Sequence, residues 1–231
     1  MDARHMKILV FDATSETISV ALQSEDKIFK FYQHAPRQQA ELILPTIKNL
    51  LLQAKLEFKN LNCLGVTIGP GSFTGVRLGI SIAKTLAFAH DLPIVGVSTL
   101  QVLAQSVAAV VMRKNKLILS ALDARMQQVY FGVYKIVDGV AVVVQKEEVI
   151  DPDKIKIKNF ANESFVTVGN GWQIYQNELE KVFGNFNLEN SNILFPDAAY
   201  ILPLAHAAYE KNNLYTADSL LPVYLRDDVV F

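Results

Sequence analysis

Two hydrophobic rhythms alternate along the chain. Short apolar runs at residues 7–11, 18–22, 64–68 and 94–97 read as strands, with 28–32 as a further one. Between them, apolar positions recur at helical spacing over 40–56, 76–89 and 99–111. Pro45 is expected to kink or divide the first helix, and Ser98 is placed to cap the third. This order of strands and helices predicts an α/β layer. A second set of strands follows at 117–122, 129–137 and 140–144, with Asp138-Gly139 as a hairpin turn. Residues 151–157 read as a short helix or turn, 166–168 as a strand, and Gly169-Asn170-Gly171 as a turn into a helix at 172–183. A polar loop at 185–191, a last helix at 198–211 and an irregular end complete the pattern. The expected division is two α/β units, 1–110 and 111–231, with the C-terminal helix or tail free to pack back on the first.

The stretch Gly69-Pro70-Gly71-Ser72-Phe73-Thr74-Gly75-Val76-Arg77 joins a buried strand to a helix. Gly69 and Gly71 allow backbone angles closed to other residues, Pro70 fixes its own φ, and Ser72 or Thr74 can cap the helix. The result is either an anion cradle of outward amides or an ordinary tight turn. It lacks the Gly-Lys-Ser/Thr ending of a phosphate loop and the glycine spacing of a dinucleotide fingerprint. Gly71, Gly75, Gly79, Ala83 and Ala87 recur every four residues, a small-residue stripe on one helix face. Its partner is either an element of this chain or another subunit.

Half of the residues are apolar and the formal net charge is -1, so a packed globular chain is expected rather than a broadly basic nucleic-acid surface. A single cysteine, Cys63, excludes an intrachain disulfide and is expected to be buried. No membrane-length apolar run or signal peptide is evident, and a cytoplasmic location is expected. The four histidines are scattered without HExxH spacing, and there is no GxSxG elbow. Lys84 has no feature that makes it a base, and the basic run at 113–116 reads as a solvated connector.

GPGSFTGVRLG, PIVGVSTL at 93–100 and ALDARM at 121–126 closely resemble the bacterial TsaB (YeaZ) family, as do KILVFDAT at 7–14 and PVYLR at 222–226. The resemblance spans nearly the whole chain, and the central motif is highly specific. Met6 resembles the usual family start, leaving 1–5 as an upstream addition. The resemblance implies an actin-like ATPase (ASKHA) fold of two related α/β subdomains without a complete catalytic site. It also implies a non-catalytic role in making threonylcarbamoyladenosine at position 37 of tRNA decoding ANN codons. A TsaD-like protein is the expected direct partner and catalyst, with a TsaE-like ATPase in the assembly, TsaC supplying threonylcarbamoyl-adenylate, and tRNA met mainly through the complex. A homodimer through a related surface is a further expectation. No cofactor is expected for this chain alone; ATP and metal belong to the partners.

Within that resemblance, Asp12 takes the place of the acidic residue that orients metal or water in related ATPases, or accepts turn hydrogen bonds. Asp123-Ala124-Arg125 stands where a second phosphate loop needs small glycine-rich geometry, and Ala124 and Arg125 bring side chains instead, so Arg125 either meets an anion, obstructs the cleft or forms a salt bridge in it. Asp12, Gly69, Gly71, Ser72, Thr74, Arg77, Asp123 and Arg125 are therefore structural or vestigial-cleft candidates. His34 has no second histidine through Leu56, so the metal pair of TsaD-type enzymes is missing from the sequence. Leu44, Ile47, Leu51, Gly75, Val76, Gly79, Ala83 and Ala87 are the expected partner-interface residues, on the helices at 40–56 and 74–89. The alternatives are a stand-alone ATPase or phosphotransferase of the same fold, and a structural homodimer.

Overall fold

The computed structural model describes residues 6–109, 111, 116–157 and 163–226. The first lobe contains β1 (Lys7–Asp12), β2 (Thr17–Ser24), β3 (Lys27–His34), β4 (Cys63–Thr67) and β5 (Ile94–Val97) in the order β3-β2-β1-β4-β5. The second contains β6 (Leu117–Arg125), β7 (Gln128–Val137), β8 (Val140–Ile150), β9 (Ser164–Val168) and β10 (Asn187–Asn190) in the order β10-β9-β6-β7-β8. Each sheet opens with an antiparallel meander, β1-β2-β3 or β6-β7-β8. Each then adds two parallel strands on the other side of its first strand. The lobes thus share one topology although no sequence repeat joins them.

Side-chain alternation assigns the layers. Leu9 and Phe11 of β1 face one way with Val20 and Val66, and are covered by Ile43, Ile47 and Leu50 of α1 (Gln39–Ala54) and by Val76, Ile80 and Ala83 of α2 (Phe73–His90). Ile8 and Val10 face the other way, against Ile201, Leu202 and Ala205 of the last helix, α6 (Ile201–Glu210). Leu100 and Leu103 of α3 (Thr99–Ser106) pack on Ile118 and Val166 of the second sheet, while Val102 on the same helix joins the first lobe's core. The outer face of the second sheet is closed by α4 (Gly171–Ile174) and α5 (Gln176–Phe183), with Phe183 against Phe131 and Trp172. Cys63 is buried, and burial pushes its thiol up to about 12.

Three expectations are adjusted. Pro45 does not divide α1, because it lies on the exposed side, where water can serve the carbonyl that loses its donor. The helix expected at 172–183 breaks at Tyr175 into α4 and α5. The polar stretch expected as a loop holds β10, an edge strand, whose outer side needs no apolar pattern. The connector at 113–115 lies outside the described residues.

The small-residue stripe faces inward. Gly75, Val76, Gly79, Ala83 and Ala87 are all buried against the chain's own first lobe, and Ile47 and Leu51 lie beneath α1. Of the eight expected interface residues only Leu44 is exposed. The close approach that the stripe permits is to the β1–β2 turn. A Cβ on Gly75 would overlap the Ala13 carbonyl, and one on Gly71 would lie 2.6 Å from the Thr14 carbonyl oxygen. A Cβ on Gly79 would meet only Val66 Cγ2, at 3.3 Å.

That difference predicts unequal outcomes for one substitution at two sites. Gly75→Ala forces backbone apart and is expected to destabilise the fold by about 1–3 kcal/mol. Gly79→Ala displaces only a methyl and gains about 0.5–1 kcal/mol of helix propensity, for a net effect near zero. Urea unfolding of both variants checks this; equal losses would reject the close-approach account.

Candidate functional site

The C-terminal ends of β1 and β4 meet the start of α3 at a buried polar centre. Asp12 closes β1 with no solvent exposure. Its Oδ1 accepts from the Thr14 hydroxyl (2.6 Å), the Thr67 hydroxyl (2.6 Å) and the Thr14 amide (3.3 Å). The Thr99 hydroxyl donates to that of Thr14 at 3.3 Å, tying α3 to the same centre. Oδ2 is buried without a hydrogen-bond partner. Burial lifts the carboxyl from 3.8 to about 6, against the opposing effect of the threonine bonds, and the nearby Asp197 carboxylate raises it further.

The glycine loop is built onto this centre. Gly69 has φ +104, and the Thr99 amide donates to its carbonyl. Ser72 donates its amide to the Thr14 carbonyl (2.8 Å), and its hydroxyl accepts from the Gly75 amide, so Ser72 rather than Thr74 caps α2. The amides of Ser72 and Gly75 are thus used inside the chain. The glycines of the loop serve its close packing on the β1–β2 turn.

In the second lobe Asp123 near the end of β6 has a different setting. Its Oδ1 accepts from the Tyr175 hydroxyl (2.8 Å) and the Arg125 amide, its own amide donates to Asn170 Oδ1, and its Oδ2 pairs with Arg125 at 3.1 Å. Arg125, Met126 and Gln127 all have positive φ, a tight turn that leaves the arginine side chain largely in solvent. Arg125 therefore pairs with Asp123 beside it. The hydrogen-bond networks of Asp12 and Asp123 share no residue. His34 is exposed at the end of β3, 3.4 Å from Glu16.

A strap at residues 222–226 bridges the lobes. Val223 donates its amide to the Ile68 carbonyl, and its own carbonyl lies over Gly69. The Tyr224 hydroxyl accepts from Arg77 Nε at 3.0 Å, and the Arg77 guanidinium carbon sits 3.3 Å from the Phe73 ring centroid. Arg226 reaches the second lobe and donates to the Ala124 carbonyl and to Gln128 Oε1. Thr14, Thr67, Thr99, Asn170 and Tyr175 were not foreseen from sequence. The available signal was a hydroxyl residue at the polar end of an apolar strand, which Thr14 and Thr67 both give.

Two lobes of equal topology, with a cleft where the parallel strands end, define the actin-like α/β fold. The family model described as TsaD, tRNA N6-adenosine threonylcarbamoyltransferase, matches residues 32–230. Escherichia coli tRNA threonylcarbamoyladenosine biosynthesis protein TsaB is 35% identical over 98% of this chain and 97% of its own length. The Haemophilus influenzae protein of the same name is 34% identical over 99% and 97%. The structure of YeaZ from Pseudomonas aeruginosa superposes with a TM-score of 0.83 at 31% identity, covering 95% of this chain and all of that one. The chain belongs to the TsaB/YeaZ family.

The Asp12 centre predicts a pH-dependent stability. A carboxyl whose pKa is raised on folding favours the folded state most when protonated, and that advantage is lost as pH rises from about 4 to 6. A shift of this size corresponds to about 3 kcal/mol at neutral pH. Asp12→Asn removes the charge and keeps an acceptor for the threonines, so it is expected to raise stability at pH 7.5, with the gain shrinking below pH 5. Denaturant unfolding at a series of pH values tests this; a gain independent of pH would refute the buried-charge account.

Proposed function

We propose that this chain is an assembly component in threonylcarbamoyladenosine synthesis on tRNA, acting through a TsaD-like partner that performs the transfer. The observation that carries this reading is the near-complete match to relatives named for that biosynthesis, joined to a match with the transferase family model over residues 32–230. A chain that matches the transferase family model over residues 32–230 is suited to pairing with such a partner about a pseudo-twofold axis. The same geometry accommodates a homodimer.

The contact surface we assign is the outer face of α1 and α2, which cover the same side of the first sheet. Leu44 and Leu52, eight residues apart, lie on one exposed face of α1; Phe73 and Phe88 stand at the two ends of α2, with Phe88 83% exposed. Exposed aromatic and leucine side chains on adjacent helices supply apolar area for a partner to bury. The inward stripe sets the height of α2 above the sheet and so shapes this face from below. A TsaE-like ATPase would join the resulting assembly, and tRNA would be met mainly through it.

The cleft fits this division of labour. Asp12 is enclosed by threonines, and the charge of Arg125 is offset by Asp123 beside it. A stand-alone ATPase remains the competing outcome of the tests.

Leu52→Glu with Phe88→Glu is expected to raise the Kd for the TsaD-like partner tenfold or more, while the thermal midpoint of the isolated chain stays unchanged. Titration calorimetry and thermal unfolding read the two effects; unchanged affinity of the folded variant would reject this surface. In a reconstituted reaction, omitting the chain is expected to abolish tRNA modification. Modification that proceeds without it, or rapid ATP turnover by the isolated chain that is lost in Asp12→Ala, would overturn the assembly reading.

A further inference from the structure

A cavity of about 500 Å³ lies on the other side of the strap from Arg77 and Tyr224. Its walls come from both lobes: Val95 and Val97 of β5 and Leu204 of α6 from the first, Val142 and Val143 of β8 from the second. Val223 and Leu225 of the strap form a further wall. The position of β8 is fixed, because Gln101 and Gln105 of α3 donate to the carbonyls of Ala141 and Gly139, and the Ala141 amide donates back to Gln105. Val142 and Val143 are 39% and 52% exposed.

The polar groups of the cavity have a sign. Tyr134, buried beside it, donates its hydroxyl to Glu147 and ties that carboxylate down. Lys146 on β8 and Lys211 at the end of α6 are both exposed lining residues, one from each lobe, and neither has an ion-pair partner among the described residues. Two available ammonium groups therefore face one carboxylate already engaged. A volume between roughly 300 and 1,000 Å³, apolar walls and few polar groups are the usual properties of a small-molecule site.

We propose that this cavity binds a small amphiphile, with its apolar body between β5, β8 and α6 and an anionic head, carboxylate or sulfonate, at Lys146 and Lys211. Charge complementarity selects the head and the valine and leucine walls select the body. Because the walls belong to both lobes and to the strap, the bound molecule would hold the three together.

The isolated chain is sufficient for the test. Titration with the fluorescent probe 8-anilinonaphthalene-1-sulfonate is expected to show one saturable site. Decanoate, kept below its micelle-forming concentration, should displace the probe, whereas decylamine should not. Lys146→Glu with Lys211→Glu should weaken the probe at least tenfold with no change in thermal midpoint, since both side chains are exposed. Ala208→Trp, which places an indole among the lining residues, should do the same by filling the space. Hydrogen exchange gives a readout independent of the probe: decanoate should slow the Val223 amide. Non-saturating fluorescence, equal displacement by decylamine, or full binding by the folded lysine double variant would each overturn the proposal.

Discussion

The geometry of the cleft depends on how closely the start of α2 approaches the β1–β2 turn. Backbone meets backbone there, with Gly71 and Gly75 against the carbonyls of Thr14 and Ala13. This approach brings the Ser72 amide to the Thr14 carbonyl. Thr14 then spends its remaining polar groups on Asp12 and accepts the Thr99 hydroxyl. One residue thereby links β1, the glycine loop and α3. Each such bond contributes about 1 kcal/mol net, but a partner left buried and unmet costs more, so the set is held or lost together. The glycines matter because any side chain there would separate these groups.

The two lobes use one scaffold for different chemistry. In the first, the carboxylate of Asp12 is buried among hydroxyls with one oxygen unmatched. In the second, Asp123 sits beside a largely solvated arginine that neutralises it. The two centres thus differ in burial and in charge balance, and the function proposed above rests on exposed helix faces rather than on either of them.

Much of the fold was legible because its strands are buried and its helices amphipathic. β1, β4 and β5 are short apolar runs, and Ser72 and Ser98 both cap the helices they precede. β10 was not legible, since a polar edge strand carries no apolar alternation, and neither was the break at Tyr175. The stripe from Gly71 to Ala87 was visible as a contact face, but periodicity cannot say whether the contact is inside or outside the chain. Burial settles it: Gly79 lies over Val66 of the same chain. The Asp12 centre was half legible. The acid stood out at a strand end, whereas Thr67 and Thr99 reach it from 55 and 87 positions away, a proximity that only the parallel pairing of β1 with β4 and the placement of α3 create.

The strap shows what a motif can mean when it forms no regular element. Residues 222–226 read as irregular, yet their side chains divide by alternation as in any extended segment. Tyr224 and Arg226 turn to Arg77 and to the 124–128 turn, while Val223 and Leu225 turn to the cavity between β5 and β8. The Val223 amide anchors the segment to β4's end through Ile68, so the strap cannot slide without breaking a backbone bond. Displacing Val223 or Leu225 from one side must therefore move Tyr224 or Arg226 on the other. Phe73, which Arg77 and Tyr224 both contact, begins α2. The strap thus makes one mechanical connection from the interlobe cavity to the end of the helix whose outer face we assign to the partner.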